Sequence, residues 1–421
     1  MRLTNGSVFL FVCSGVLLLS MHASLHGNGF DGGGLASALD SKQTLAQNAD
    51  VIPINMLENH IYVNVRVNGS LPLSFILDTG ASNHVLNEGR AEEFGILHKK
   101  LGEHNDVGTG EGATKLASIK NVSLNMGGIE LKDKTIYIVQ MDKLEAIVGH
   151  SIDGILGAEI FNRFVVGIDY LAQTVTLSNP ENYKYSGRGE IIPLKLSGNR
   201  PFVKAKVAIS GLNPIEGLFV IDIGDSNALS LHTPFVAKNK LLPAREHIVP
   251  HFTNGLGGES REWLGRAQNF QLGRYTFKQP VTAFSQATKG SAADSSYDGA
   301  IGAEILRRFK IIFDYTHKQM ILESNAGFDE PFEADMSGVS LLAEGSDFKT
   351  IRVNRVLENS PGAESGLRNA DVLVTIDGNS TEGFTLEQIK QMFKNEGREY
   401  LLNISRDEHL LQVKIKMRRL I

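Results

Sequence analysis

One pattern occurs twice in this chain. Residues 75–87 read F-I-L-D-T-G-A-S-N-H-V-L-N and residues 219–231 read F-V-I-D-I-G-D-S-N-A-L-S-L. A second pair follows, D-G-I-L-G-A-E-I-F-N-R-F from Asp153 and D-G-A-I-G-A-E-I-L-R-R-F from Asp298. The offsets are 222 − 78 = 144 and 298 − 153 = 145. Two unrelated motifs repeated at nearly one offset require a duplicated unit of that length, and each copy supplies one Asp after an apolar strand.

The texture around the motifs is that of β-structure. Ile61–Val67 alternates in its second half, turns at Asn68-Gly69 and leads into Leu73–Leu77, a hairpin signature. Phe202–Ile209, Ser210-Gly211 and Leu218–Ile221 repeat it. Each half then carries a glycine-rich stretch, Val107–Gly112 and Thr253–Gly258. Strands are expected around Ile119–Met126, Thr135–Val139, Ala267–Leu272 and Val281–Phe284. The A-E-I-x-x-R-F segments read as one or two helical turns, each feeding a last strand pair that carries Asp169-Tyr170 or Asp314-Tyr315. Residues 51–180 and 186–325 are therefore expected to be two mainly-β lobes of similar plan. A small α+β module follows over 332–421, with a helical period at Leu386–Phe393 and two closing strands.

The first 23 residues place Arg2 before an apolar run from Val8 to Met21, with Ala23 and Ser24 as small residues beyond it. That is the length of a signal-peptide core and short for a membrane span. We expect a leader over 1–23, a flexible Gly/Ser/Asn-rich linker over 24–50, and export to a bacterial periplasm, envelope or exterior. Cys13 is the one cysteine and lies in the leader, so no disulfide is expected in the mature protein. A net charge of −5 carries no basic footprint for nucleic acid. The twelve His residues form no H-E-x-x-H or close cluster, and neither metal nor cofactor is expected.

Asp78 and Asp222 are the candidate catalytic pair. Each sits where an apolar strand ends in a tight turn, with Gly80 and Gly224 giving the turn its freedom. Thr79, Ser82 and Ser226 offer hydroxyls to hold the carboxylates. Two carboxylates about 3 Å apart cannot both ionise and share one proton. The ionised partner can take a proton from water while the protonated one hydrogen-bonds a carbonyl.

These lobes resemble aspartic peptidases of the retropepsin and pepsin fold, in particular the bacterial aspartyl proteases with a fused PDZ domain. F-I-L-D-T-G-A-S matches the family's first hallmark; D-G-I-L-G and D-G-A-I-G match its second, a strand passing behind the catalytic turn. The resemblance implies two acid-protease-like β-barrel lobes and endopeptidase activity on a peptide or protein substrate. It also implies two flaps closing over that substrate at Gly108, Gly110 and Gly112 and at Gly255, Gly257 and Gly258. Duplication within one polypeptide makes a monomer sufficient.

The second half departs from the pattern. Ile223 replaces a Thr whose hydroxyl would cross-link the lobes, leaving Thr79 alone for that task, and Asp225 replaces a small residue. We expect Asp225 to point to solvent or to pair with an Arg. An unpaired approach to the dyad would instead raise the dyad's pKa. These departures keep a catalytically inactive, peptide-binding pseudo-protease open as the alternative, together with an envelope adaptor acting through the C-terminal module.

Arg163 with Glu159 and Arg308 with Glu304 are expected as surface or helix-end ion pairs, Asp153 and Asp298 as turn residues, and His84 as a surface or half-buried residue. Trp263 is left open between peptide contact and core packing. The C-terminal run S-P-G-A-E-S-G-L-R-N-A-D-V-L-V-T-I-D-G resembles bacterial PDZ domains, with Ala370 in place of the usual Gly. The resemblance puts the loop that captures a peptide carboxylate near Ser337, Gly338, Val339, Ser340 and Leu341. A structural, lid-like use of the module is the other reading.

Overall fold

The computed structural model describes residues 8–13, 16–21, 50–96, 99–104, 108, 110–112 and 114–421. Of the expected leader, Val8–Cys13 and Val16–Met21 pair antiparallel. The rest of it, and the linker up to residue 49, lie outside the described residues.

The architecture is mainly β, as the sequence texture implies. In the first lobe, strand His60–Val67 pairs antiparallel with Leu73–Leu77, Val63 opposite Phe75. Asn68 and Gly69, both at positive φ, make the turn. The alternation has its expected result: Val63, Val65 and Val67 are buried while Asn64 and Arg66 are exposed. Leu73–Leu77 then runs parallel to Gly154–Leu156, which pairs antiparallel with Val85–Asn87 on its other side. The second lobe repeats this arrangement with Arg200–Ala208, Ile215–Ile221, Gly299–Ile301 and Leu229–Leu231.

A shared sheet joins the halves. Val165–Asp169 of the first lobe pairs antiparallel with Phe309–Asp314 of the second, Val166 opposite Phe313. Asp50–Pro53 and Glu190–Pro193 complete its two ends. One apolar core takes in side chains of both lobes, including Phe75, Phe161, Phe219 and Phe313. Burial on this scale, at about 25 cal/mol per Å² of apolar surface, is what holds the halves in register.

The C-terminal module has its own core and a sheet in the order Val339–Glu344, Thr350–Val356, Val372–Ile376, Glu399–Arg406, His409–Lys416. Ser360 caps a short helix that begins at Pro361, and Thr385 with Gln388 forms a capping box at Leu386–Met392. Ala370 stands at φ 71°, the left-handed conformation that glycine adopts without a Cβ penalty. Ala370→Gly is therefore expected to stabilise the module by about 0.5–1 kcal/mol, net of the entropy that glycine adds to the unfolded state. A higher urea midpoint at unchanged m-value is the check.

Candidate functional site

Asp78 and Asp222 are brought together at the centre of the molecule. The Asp78 N–H donates to the Leu156 carbonyl and the Asp222 N–H to that of Ile301, both at 3.0 Å, so each turn hangs from the strand of the second hallmark. Both carboxylates are fully buried, and their side chains are hydrogen-bonded to each other. The Gly80 N–H donates to Asp78 Oδ1 at 2.6 Å, and the Gly224 N–H to Asp222 Oδ1 at 3.0 Å. The glycines are needed because each lies against the opposite carboxylate. A methyl group at Gly80 would stand 2.5 Å from Asp222 Oδ2, and one at Gly224 would collide with the Asp78 carboxyl.

Burial pushes the Asp78 carboxyl up to about 7. The hydrogen bonds from Asp222 and from the Gly80 and Ala81 N–H groups pull it down, and the charge of Asp225 pushes it up again.

The hydroxyls do not serve as expected. Thr79 donates to the Ile221 carbonyl at 2.7 Å and accepts from the Ile223 N–H at 3.1 Å. Ser82 donates to the Gly198 carbonyl at 2.8 Å. Both tie the lobes together instead of holding Asp78, because the turn's own N–H groups already serve that carboxylate. The cross-link is one-sided, as Ile223 implies. Ser226 takes part through its carbonyl, which accepts from Asn59 Nδ2 at 3.1 Å.

Asp225 corrects our expectation of a solvent-facing residue. It is fully buried; Oδ1 accepts from the Asn227 N–H at 3.0 Å and Oδ2 from Ser230 Oγ at 3.2 Å. These neutral donors hold it in place, and its charge acts on the dyad. Asp225→Asn should let the dyad's proton leave at lower pH and draw in the alkaline limb of activity. The profile of kcat/KM against pH should move by on the order of 0.5–1 pH unit.

His84 is buried, not superficial. Its Nδ1 accepts from the Gly157 N–H at 3.1 Å, and Nε2 lies 3.2 Å from Glu159 Oε2. Glu159 also meets Lys134, and its pKa is lowered to about 2, chiefly by the hydrogen bond from His84. Arg308 pairs with Glu304 at 3.3 Å as expected, yet it is fully buried, stacked 3.8 Å over Phe332 and donating to the carbonyls of Gly327, Phe328 and Glu330. It fastens the segment leading to the C-terminal module, whereas Arg163 is half-buried and reaches the Glu130 carbonyl. Asp153 and Asp298 accept from the Ser74 and Leu218 N–H groups, each at 2.7 Å, and hold their strands. Trp263 packs at the edge of the main core, with Arg245 over its ring.

His60 escaped the sequence reading. Its Nε2 donates to the Gly224 carbonyl at 3.1 Å beneath the second turn, and burial lowers its pKa to about 4, which keeps the ring neutral. The signal was present: a lone imidazole opening an apolar strand.

Thr253–Gly258 is the tip of a hairpin beside the Asp78 turn. Val249–Gly255 and Gly258–Arg266 form a hairpin turning at Leu256-Gly257. Gly112 N–H donates to the Gly257 carbonyl at 2.6 Å, Glu111 N–H to that of Glu259 at 3.2 Å, and the Thr114 hydroxyl to that of Leu256. The Ser291 N–H reaches the Gly108 carbonyl at 3.3 Å, and Gly110 packs against Gly257. Leu256 joins an apolar cluster with Ala81 and Leu116 beside the Asp78 turn. The two glycine-rich segments are thus tied together and closed.

Comparison with known proteins agrees with this architecture. Residues 63–160 match the model of the aspartyl protease family, and residues 336–405 match that of the PDZ domain. Over 170 residues the protein is 23% identical to a Staphylococcus haemolyticus protein described as "Probable CtpA-like serine protease"; the stretch covers 40% of this sequence and 31% of that protein.

Proposed function

The protein joins an aspartyl protease domain to a PDZ domain, and on that premise we propose that it is an exported aspartic endopeptidase with a dyad of Asp78 and Asp222. The observation that carries the reading is the hydrogen-bonded carboxylate pair, one from each lobe, buried between turns of the same design. With one proton between them, the ionised carboxylate takes a proton from a water whose oxygen attacks the scissile carbonyl carbon. The protonated partner donates to the carbonyl oxygen. The resulting tetrahedral species expels the amine, which leaves with a proton from the dyad, and a new carboxyl and amine result. Closed flaps would exclude bulk water during this step and must open to admit and release peptide. Export is supported by the apolar run Val8–Met21 alone.

A serine mechanism, suggested by the name of the staphylococcal relative, has no support at this site. The Ser82 hydroxyl is turned to Gly198, and His84 is engaged by Gly157 and Glu159. The two chemistries separate under hydroxylamine trapping. Direct attack by water leaves no acyl-enzyme, so cleavage should yield carboxylic acid only. Hydroxamate product at a significant fraction of turnover would mean a covalent nucleophile and sink the proposal.

A further inference from the structure

Each lobe carries a hairpin tip of the same design. Asn55–Leu57 pairs antiparallel with His60–Val67, Leu57 opposite His60. Glu58 and Asn59 thus form a two-residue turn, both at positive φ, 49° and 68°. In the second lobe Gly198 and Asn199 make the matching turn between Lys195–Ser197 and Arg200–Ala208, at an offset of 198 − 58 = 140. Gly and Asn visit the left-handed region readily, and Glu does so at a cost. Glu58 therefore holds a strained conformation that its counterpart Gly198 adopts freely. The surroundings differ too, for Gly198 and Asn199 are exposed while Glu58 and Asn59 are half-buried.

The strained tip stands between the PDZ module and the second catalytic turn. On its outer side the Glu58 N–H donates to Glu387 Oε1 at 2.9 Å, and Lys390 Nζ donates to Glu58 Oε1 at 2.5 Å. Both partners lie on the PDZ helix Leu386–Met392. Lys390 Nζ also reaches the Ile147 carbonyl at 2.8 Å, and Leu386 packs against Gly149, which fixes that helix to the first lobe. Burial raises the Glu58 pKa against the pull of Lys390, so the carboxylate depends on that cation. On the inner side Asn59 Nδ2 donates to the Ser226 carbonyl at 3.1 Å and to Glu304 Oε2 at 2.8 Å. His60 Nε2 donates to the Gly224 carbonyl at 3.1 Å. Gly224 and Ser226 flank Asp225 in the turn that carries Asp222. Ile223 leaves this turn without a Thr of its own, and the first lobe anchors it through Thr79, Asn59 and His60.

We propose that Asn59 and His60 are positioning residues for Asp222, and that the PDZ helix holds them in place through Glu58. The proposal rests on the assignment of Asp222 to the dyad, yet it concerns the placing of the turn and not the chemistry. The PDZ module is then a built-in brace of the second catalytic turn, linked to it through the tripeptide Glu58–His60. Strain kept at Glu58 is the cost of that link. Releasing the tip lets Glu58 leave its left-handed conformation and draws the two side chains away from the Gly224 and Ser226 carbonyls. Asp222 loosens, while Asp78 keeps its own supports.

The test compares full-length wild type with Glu58→Gly and Lys390→Met by hydrogen–deuterium exchange and by cleavage kinetics. Glu58→Gly removes the strain together with the ion pair, so the effects on stability offset and the melting temperature should stay near that of wild type. In both variants exchange across residues 219–231 should rise about 10-fold or more, with residues 75–87 within about 2-fold of wild type. The kcat for peptide cleavage should fall about 10-fold, with KM within about 2-fold. His60→Gln, which keeps an N–H donor of similar reach, should retain wild-type exchange and rate, and His60→Leu should reproduce the loss. Unchanged exchange across 219–231 in Glu58→Gly and Lys390→Met would overturn the proposal. An equal rise in both segments would overturn it too, because it means general loosening. A wild type that cleaves nothing would defeat the peptidase reading, and the exchange measurement would still decide this one.

Discussion

Asp78→Asn is expected to abolish cleavage and, at neutral pH, to make the protein more stable. The loss of activity follows from the chemistry. An amide can neither accept the water's proton nor share one with Asp222, so a cost on the order of 10,000-fold in kcat is expected. The gain in stability follows from where the carboxyl sits. Asp78 is fully buried and its pKa is raised from 3.8 to about 7, so the folded state favours the protonated form while the unfolded state ionises freely. The penalty is absent below about 3.8, grows as pH rises, and is complete above about 7. Each tenfold change in proton affinity is worth about 1.4 kcal/mol, so the penalty reaches roughly a few kcal/mol. Thermal melts at pH 4 and pH 7.5 provide the check. Wild type should lose stability between the two, and Asp78→Asn should lose much less. An inactive variant less stable than wild type at pH 7.5 would mean that the buried carboxylate is better compensated than the hydrogen bonds indicate.

Gly80→Ala and Gly224→Ala are expected to be nearly as damaging, although neither residue carries chemistry. The added methyl group at residue 80 meets Asp222 Oδ2 at 2.5 Å and its Cγ at 2.6 Å, distances that force the carboxylates apart. A displacement of about 1 Å at reacting groups costs on the order of 100-fold in rate, and overpacking costs roughly 1–3 kcal/mol in stability. The effect should fall on kcat, with KM little altered. Gly89→Ala is the control. Its methyl group would have only Asn87 Oδ1 nearby, at 3.8 Å, and both rate and stability should be kept. Equal losses in the control would point to general fragility, not to the dyad.

Much of this was legible in the sequence because the repeat is a long-range constraint written in short motifs. The 144-residue offset placed both Asp turns, and the second hallmark placed the strands from which they hang. The one-sided Thr79 cross-link was legible too, since Ile223 has no hydroxyl to return it. What escaped depends on contacts that no local pattern encodes. The burial of Asp225 is stabilised by Ser230, whose strand runs between two others of the second lobe. His84 looked superficial because its partner, Glu159, is 75 residues away in sequence (159 − 84 = 75). The sheet shared by the lobes requires Asp50–Pro53 and Glu190–Pro193, two four-residue strands too short to show a period. Asp335 lies just before the PDZ loop, and only the folded turn reveals that its carboxylate accepts from the Ser337 and Gly338 N–H groups.

The most direct test falls on the half that departs from the pattern. We would measure cleavage of a diverse peptide library between pH 3 and 8 by wild type and by Asp222→Asn. The account predicts a bell-shaped profile for wild type and no cleavage at any pH for the variant, with both proteins folded. Cleavage by Asp222→Asn at the wild-type rate would contradict it, for the second lobe would then supply no catalytic group and the site would not be a shared dyad.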